Sequence, residues 1–197
     1  MKLLAFVFLL NCFISLSAQP PHYLDSITAF RENYISTHAV IKEKDRSGLQ
    51  FFPVDTAFCK IVRVERIYEA PWFAMPTSGK ISKNFRVYAV LHFTLKGQPF
   101  KLNVYQSQQL MQTDGYTDYL FIPFTDLTNG EQSYENGRYI DLLTGDLEKG
   151  ICYIDFNKAY NPYCAYVSHV YNCPIPPAEN HLIIPIPAGE KKYNQVH

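Results

Sequence analysis

The sequence predicts a mainly β fold of the α+β kind: a single-domain β-sandwich or barrel-like sheet with one N-terminal amphipathic helix packed outside it. Three observations carry this. Helical periodicity occurs once, near the N-terminus. Beyond it, apolar residues recur at every second position. Turn residues, chiefly Asn-Gly, Gly and Pro, punctuate the chain at short intervals. With 47% hydrophobic residues in 197, including 15 Tyr and 14 Phe, the chain has material for one sizeable core, and disorder is not expected.

The first residues, MKLLAFVFLLNCFISLSAQPP, read as a targeting segment. Lys2 precedes an apolar run from Leu3 to Ile14, and small residues Ser15, Ser17 and Ala18 follow. This is the pattern of a secretory signal peptide over residues 1–18, cleaved near Ala18, so the protein is expected to be periplasmic or extracellular. The run is too short to span a membrane comfortably. A lipid anchor at Cys12 is the competing reading; Asn11 stands against it, where a small residue is usual. Residues 19–197 are then expected to form one domain.

YLDSITAFRENYISTH at 23–38 spaces Leu24, Ile27, Phe30 and Tyr34 along one helical face, expected to point inward. KEKDR mixes signs and reads as a solvated loop. FFPVD is short and ends in a turn, and CKIVRVERIYEA is β-branched and alternating. NFRVYAVLHFTL places Phe85, Val87, Ala89, Leu91, Phe93 and Leu95 on one strand face. Lys96 to Pro99 turns the chain, and FKLNVYQS returns, giving a hairpin over 85–107. YLFIPFTDL at 119–127 is a strand in which Pro123 argues for an edge or a bulge. Asn-Gly turns follow at 129–130 and 136–137. GRYIDL and ICYIDF are expected to pair across Thr144-Gly145-Asp146. HLIIPIPAGEKKY is a final extended run.

Composition excludes several functions. Lys+Arg and Asp+Glu are both 18, so no basic surplus exists for a phosphate backbone, and nucleic acid is not an expected partner. The phosphate-binding, dinucleotide-binding and nucleophile-elbow glycine motifs are all missing. The histidines do not fall at helical metal spacing, and Cys-x8-Cys is not a zinc pattern, so neither metal nor cofactor is expected.

Three runs carry a resemblance: LFIPFTDLTNGEQSYENGRYIDL, DFNKAYNPYCAY and CPIPPAENHLIIPIPAGEK. In that order they resemble domain-of-unknown-function family 1684. The resemblance implies one compact domain and no established activity. It marks Gly137-Arg138-Tyr139, Asp155, Asn157, Tyr160-Asn161-Pro162, Cys164, Cys173-Pro174, Glu179-Asn180 and Gly189-Glu190-Lys191 as the signature. Proteins of this type often lack signal peptides, so export is a local feature here.

Within that signature, Arg138 is the strong cation. Its fork could bridge Asp155 with Glu179 or Glu190. Asp155, Glu179 and Glu190 together form a carboxylate cluster suited to general acid–base work or a hard cation. The cation version fails on spacing: a calcium loop from Asp155 needs Gly where Tyr160 stands and Glu where Tyr166 stands. Cys164 and Cys173 have three readings: a disulfide, a pair of buried thiols, or Cys164 as a nucleophile served by His169 or His181. The surrounding tyrosines suit either core packing or a stacking wall. The expected function is binding of a small polar ligand by Arg138, Tyr139, Asp155, Asn157, Tyr160, Asn161, Cys164, Glu179, Asn180 and Glu190. The alternatives are a hydrolase or lyase in which Arg138 clamps an anion for the carboxylates, and a purely structural polar knot.

Overall fold

The computed structural model describes residues 21–194. The expected signal peptide, the cleavage near Ala18 and the alternative anchor at Cys12 lie outside them. Helix α1 (Pro21–Thr37) is followed by strands β1 (Cys59–Arg66), β2 (Phe73–Met75), β3 (Lys83–Leu95), β4 (Gln98–Ser107), β5 (Tyr119–Asp126), β6 (Arg138–Leu143), β7 (Ile151–Asp155) and β8 (His181–Leu182). Strands run β6-β5-β4-β3-β1-β7 in one sheet, every neighbour antiparallel. The sheet curls into a half-barrel. The fold is mainly β with one helix, as the alternating pattern predicts.

The hairpin over 85–107 closes through Lys96 and Gly97, both at positive φ (50° and 77°). Positive φ at both central positions suits the twist of paired strands, and glycine accepts it without strain. The single apolar face expected for β3 is divided. A bulge lies between Val87 and Ala89, and Tyr88 is the extra residue. One extra residue flips the alternation. Ala89, Leu91, Phe93 and Leu95 therefore join the main core inside the half-barrel, with Leu120, Ile122, Phe124 and Ile154. Phe85 faces a second core on the other side, with Met75, Tyr105, Phe121 and Tyr139, and Val87 packs against it. The short strand β2, which the sequence did not suggest, contributes Met75 to this second core.

Pro123 does not mark an edge: β5 lies between β4 and β6. The ladder to β4 is reduced to Tyr105 opposite Phe121. Beyond it, the side chain of Asn180 takes the place of a strand. Its Nδ2 donates to Pro123 O (2.7 Å) and Asn103 O (2.9 Å), and its Oδ1 accepts from Asn103 N–H (2.8 Å). A carboxamide has the donor and acceptor of a peptide group, so it repairs a ladder that proline interrupts.

GRYIDL and ICYIDF do form consecutive strands, β6 and β7, but they do not pair. β6 pairs with β5 and β7 with β1, leaving the two as opposite edges of the sheet. After β8 the final apolar run is irregular. Phe51 pairs with Glu190, Phe52 N–H donates to Gly189 O (2.9 Å) and Glu190 N–H donates to Ala159 O (2.8 Å). At Gly189, φ is 77°, and a Cβ would come within 2.6 Å of the carbonyl oxygens of Ala159 and Phe156. Glycine is required there for both reasons.

On α1, Ile27 is fully buried and Tyr23, Phe30, Arg31 and Tyr34 are half-buried, whereas Leu24 is 37% exposed. The buried stripe runs 23-27-30-34, one residue before the expected start. Tyr23 holds the inward position through its hydroxyl, which a reading based on aliphatic residues passes over.

Candidate functional site

The signature residues divide between a sealed polar seam and an open cleft. Arg138 opens β6 and is wholly buried. Its Nη2 meets Asp126 Oδ2 at 2.8 Å and Ile186 O at 2.8 Å; its Nη1 donates to the carbonyls of Ala188 and, at 3.2 Å, Glu190. Asp126 Oδ1 accepts from Thr128 N–H (2.8 Å), Thr128 Oγ1 (2.7 Å) and Ile186 N–H (3.0 Å). The ion pair follows from strand register: Arg138 is opposite Phe124, so Asp126 lies two residues along the same face. The expected bridge from Arg138 to Asp155, Glu179 or Glu190 does not form. Glu179 is exposed on a short turn, and Asp155 ends β7, at the other edge of the sheet. Only the main-chain oxygen of Glu190 meets the guanidinium.

The Glu190 side chain is buried among hydroxyls. Tyr166 Oη donates at 2.7 Å, Tyr34 Oη at 3.1 Å and Asn161 N–H at 2.8 Å. Burial outweighs these donors and pushes its carboxyl up to about 7. Asn161 Nδ2 donates to Lys191 O (2.8 Å). His38 packs edge-on to Tyr166, its Nδ1 accepting from Ile41 N–H (3.1 Å) while burial lowers its pKa. Asn157 holds the Asp55 peptide at both ends, donating to Asp55 O (2.8 Å) and accepting from Asp55 N–H (3.0 Å). Tyr139 lies in the second core with its hydroxyl on Pro174 O. Cys164 is joined to Cys173 in a disulfide, so it is not a free nucleophile. Ser78 Oγ accepts from Cys173 N–H (3.1 Å), tying this loop to the segment after β2.

Between the edges of β6 and β7 lies a cavity of about 890 Å³, crossed by α1. Helix residues Ile27, Phe30 and Tyr34 form one wall; Ile140, Asp141 and Leu142 of β6 and Ile151, Cys152 and Tyr153 of β7 form the others. The edges turn main-chain groups into it. Tyr139 and Tyr160 exchange both hydrogen bonds (2.9 and 3.0 Å), so Asp141, two residues on, presents its N–H and C=O to the same side. Val64 N–H donates to Gly150 O (2.8 Å), which fixes the phase of the β1–β7 ladder and directs the main-chain groups of Ile151 and Tyr153 outward.

Three carboxylates line the cleft: Asp141, Asp146 and Asp155. Asp146 Oδ2 accepts from Leu143 N–H (2.8 Å). Asp155 Oδ1 accepts from Tyr23 Oη (2.9 Å) and Asn157 N–H (3.0 Å), and Tyr23 Oη also lies 3.0 Å from Oδ2. Asp141 Oδ1 accepts from Tyr160 Oη (2.6 Å) and Tyr119 Oη (2.7 Å), and desolvation raises its pKa. Cys59 and Cys152, the free cysteines of the described region, also line the cleft; burial raises both thiols, Cys152 to about 11. Of the expected ligand-binding residues, Asp155 and Tyr160 line it, while Arg138, Asn157, Asn161, Asn180 and Glu190 are fully buried outside it.

Sequence reasoning missed Asp126, Asp141, Tyr23, Tyr34 and Tyr119. Asp126 and Asp141 both stand in the run LFIPFTDLTNGEQSYENGRYIDL, and period-two spacing across paired strands relates Asp126 to Arg138. Tyr23 and Tyr34 are eleven residues apart, about three helical turns, so one helix face carries both anchors. Among the described residues no group of three or more His, Cys, Asp or Glu is placed to hold a metal, and no helix is long and apolar enough to cross a membrane.

Comparison with known proteins places these features in a family. No curated protein matches the chain. The solution NMR structure of an uncharacterized protein from Haloarcula marismortui is similar, with a TM-score of 0.65 and 29% identity over 86% of this chain and 94% of that one. Residues 44–191 match the model of DUF1684, described as a protein of unknown function. That span contains every strand and the whole signature, and the chain belongs to the DUF1684 family.

Proposed function

We propose that the protein is exported and binds a small ligand, polar at one end and apolar along its body, in the cleft between β6 and β7, with α1 as the wall closing over it. The carrying observation is the cleft itself. Its volume of about 890 Å³ falls in the range of small-molecule sites. Its walls are mainly aliphatic and aromatic, with a few convergent polar groups. The sealed seam serves the cleft indirectly. Asp155 and Glu190 hold the two ends of α1 through Tyr23 and Tyr34. A disulfide at Cys164–Cys173 suits an oxidising compartment, which supports export. The hydrolase or lyase reading loses its basis, because Asp155, Glu179 and Glu190 share no hydrogen-bond partner and Arg138 pairs with Asp126.

Calorimetry with n-octylammonium, n-octanoate and n-octanol tests the binding site. At least one is expected to bind the wild type, and Ser26→Trp, which fills the cleft from an exposed helix position, is expected to abolish binding without lowering the melting temperature. Failure of all three to bind, or equal binding to the variant, overturns the reading. Export is tested by intact mass after expression of the full chain: a product beginning near Gln19 supports it, and an uncleaved intracellular chain overturns it.

A further inference from the structure

Strand β7 ends the sheet, and its outer edge has no strand beside it. Its pairing with β1 uses the main-chain groups of Cys152 and Ile154 and turns those of Ile151 and Tyr153 away from the sheet. Among the described residues, neither of these outward residues makes a main-chain hydrogen bond on that side. The opposite edge, β6, is closed by its own chain on either side of Asp141: Tyr139 exchanges hydrogen bonds with Tyr160, and Leu143 N–H donates to Asp146 Oδ2 (2.8 Å). An open edge is commonly blunted by proline, by a charge or by a covering segment. From Ile151 to Ile154 the strand has neither proline nor charge. Helix α1 packs on the turn Phe156–Lys158 that follows the strand, and Tyr23 meets its last residue, Asp155.

The side chains of this edge are apolar and open. Ile151 is 57% exposed and Tyr153 66%, and Ile61, opposite Tyr153 on β1, is 62% exposed. All three line the cleft, and Ile27, Phe30 and Tyr34 of α1 line it as well. A row of unpaired N–H and C=O groups beside exposed apolar side chains is a template for strand addition. In that mode main-chain bonds give affinity and alternate side chains give specificity. A trough with a strand edge on one side and a helix on the other suits a single extended chain, at the usual strand spacing of about 4.8 Å. A second copy of the protein would bring its own α1, which flanks its own β7, into the same space.

We propose that β7 receives an extended peptide as an added strand: alternate amides and carbonyls of the peptide pair with Ile151 and Tyr153, and its apolar side chains lie along Ile151, Tyr153 and the helix wall. The proposal goes beyond the small-ligand reading. It rests on the strand edge and its apolar flank, so the two readings fail separately.

Calorimetry and amide hydrogen exchange with a capped pentapeptide of alternating valine and threonine test it. The peptide is expected to bind and to slow exchange at Ile151 and Tyr153. Affinity should fall at least tenfold when every peptide amide is N-methylated. It should fall as far in Tyr153→Pro, which deletes an outward N–H and leaves the ladder to β1 in place. Tyr153→Val keeps that N–H and should bind within threefold of the wild type. Should Tyr153→Pro unfold, the N-methylated peptide decides by itself. No binding at millimolar peptide, equal binding of the N-methylated form, or equal losses in Tyr153→Val and Tyr153→Pro would overturn strand addition. Protection of Ile151 and Tyr153 that grows with protein concentration in the absence of peptide would assign the edge to a second copy, and overturns the peptide as its occupant. Peptide binding without binding of any n-octyl probe keeps strand addition and removes the small-ligand reading; the converse removes strand addition alone.

Discussion

Arg138 and Asp141 stand three residues apart on β6, point to opposite faces of the strand, and meet opposite surroundings. Around Arg138 both terminal nitrogens of a buried charged group are held by its own chain, on one carboxylate and three carbonyls, with Nε left unpaired and no solvent. Around Asp141 the carboxylate is exposed, with Oδ1 on two tyrosine hydroxyls, and the residue lies at the margin of the cleft. The first arrangement closes the fold; the second stays open to solvent. Charge alone does not distinguish these two groups; their access to solvent does.

Substitutions on the two sides should therefore differ in size and sign. The largest effect is expected for Arg138→Met, which leaves Asp126 buried without its counter-charge. Loss of one member of a buried pair costs about 3–5 kcal/mol, and roughly 2–4 °C of melting temperature accompanies each kcal/mol in a chain of this size. Thermal unfolding of that variant should fall by about 10 °C or more. A fall of only a degree or two would show that the seam does not hold the fold.

Glu190→Gln should act with the opposite sign and depend on pH. Because the native state raises the carboxyl to about 7 from an ordinary 4.5, it binds more protons than the unfolded state in that window, and wild-type stability falls as pH rises from about 4.5 to about 7. Glutamine carries no such charge. The variant should be more stable than the wild type at pH 8, by on the order of 3 kcal/mol, and close to it at pH 4.5. Chemical denaturation at the two pH values checks this; a variant less stable at both would mean that Glu190 is held ionised by its donors.

Reduction of Cys164–Cys173 should cost about 2–3 kcal/mol for so short a loop, read as a lower melting temperature in reducing buffer. Tyr23→Phe should cost about 1 kcal/mol, since one hydroxyl bridge to Asp155 and Asn157 is lost. Its distinguishing signature is faster amide exchange at the N-terminal end of α1 with the sheet unchanged. Exchange rising equally throughout would show that the helix is not a separately held wall.

The sheet was legible in the sequence wherever alternation had one meaning. The 85–107 hairpin and the Asn-Gly turns follow directly from local pattern. What escaped were long-range decisions. Tyr88 is an extra residue only relative to β4, so no local signal announces that Phe85 and Leu91 belong to different cores. Pro123 speaks against a central strand until Asn180, 57 residues later, supplies the missing bond. β6 and β7 look like a hairpin, yet each pairs with an earlier strand instead, and that refusal creates the cleft. The signature residues were correctly singled out as unusual. Their unusual composition reflects mostly the satisfaction of buried backbone, and the residues that line the cavity, Asp141 and the tyrosines of α1, look ordinary in sequence.

Amide hydrogen exchange, with and without the tightest-binding n-octyl probe, tests the division most directly. The account predicts that the amides of Asp141, Ile151, Tyr153 and helix α1 exchange readily in the free protein and slow markedly when the probe is bound. Those of Asn161 and Glu190, bonded to Glu190 Oε2 and Ala159 O, should stay slow in both states. Uniform protection of both regions, or slowing confined to the seam while the strand edges stay unchanged, would contradict it.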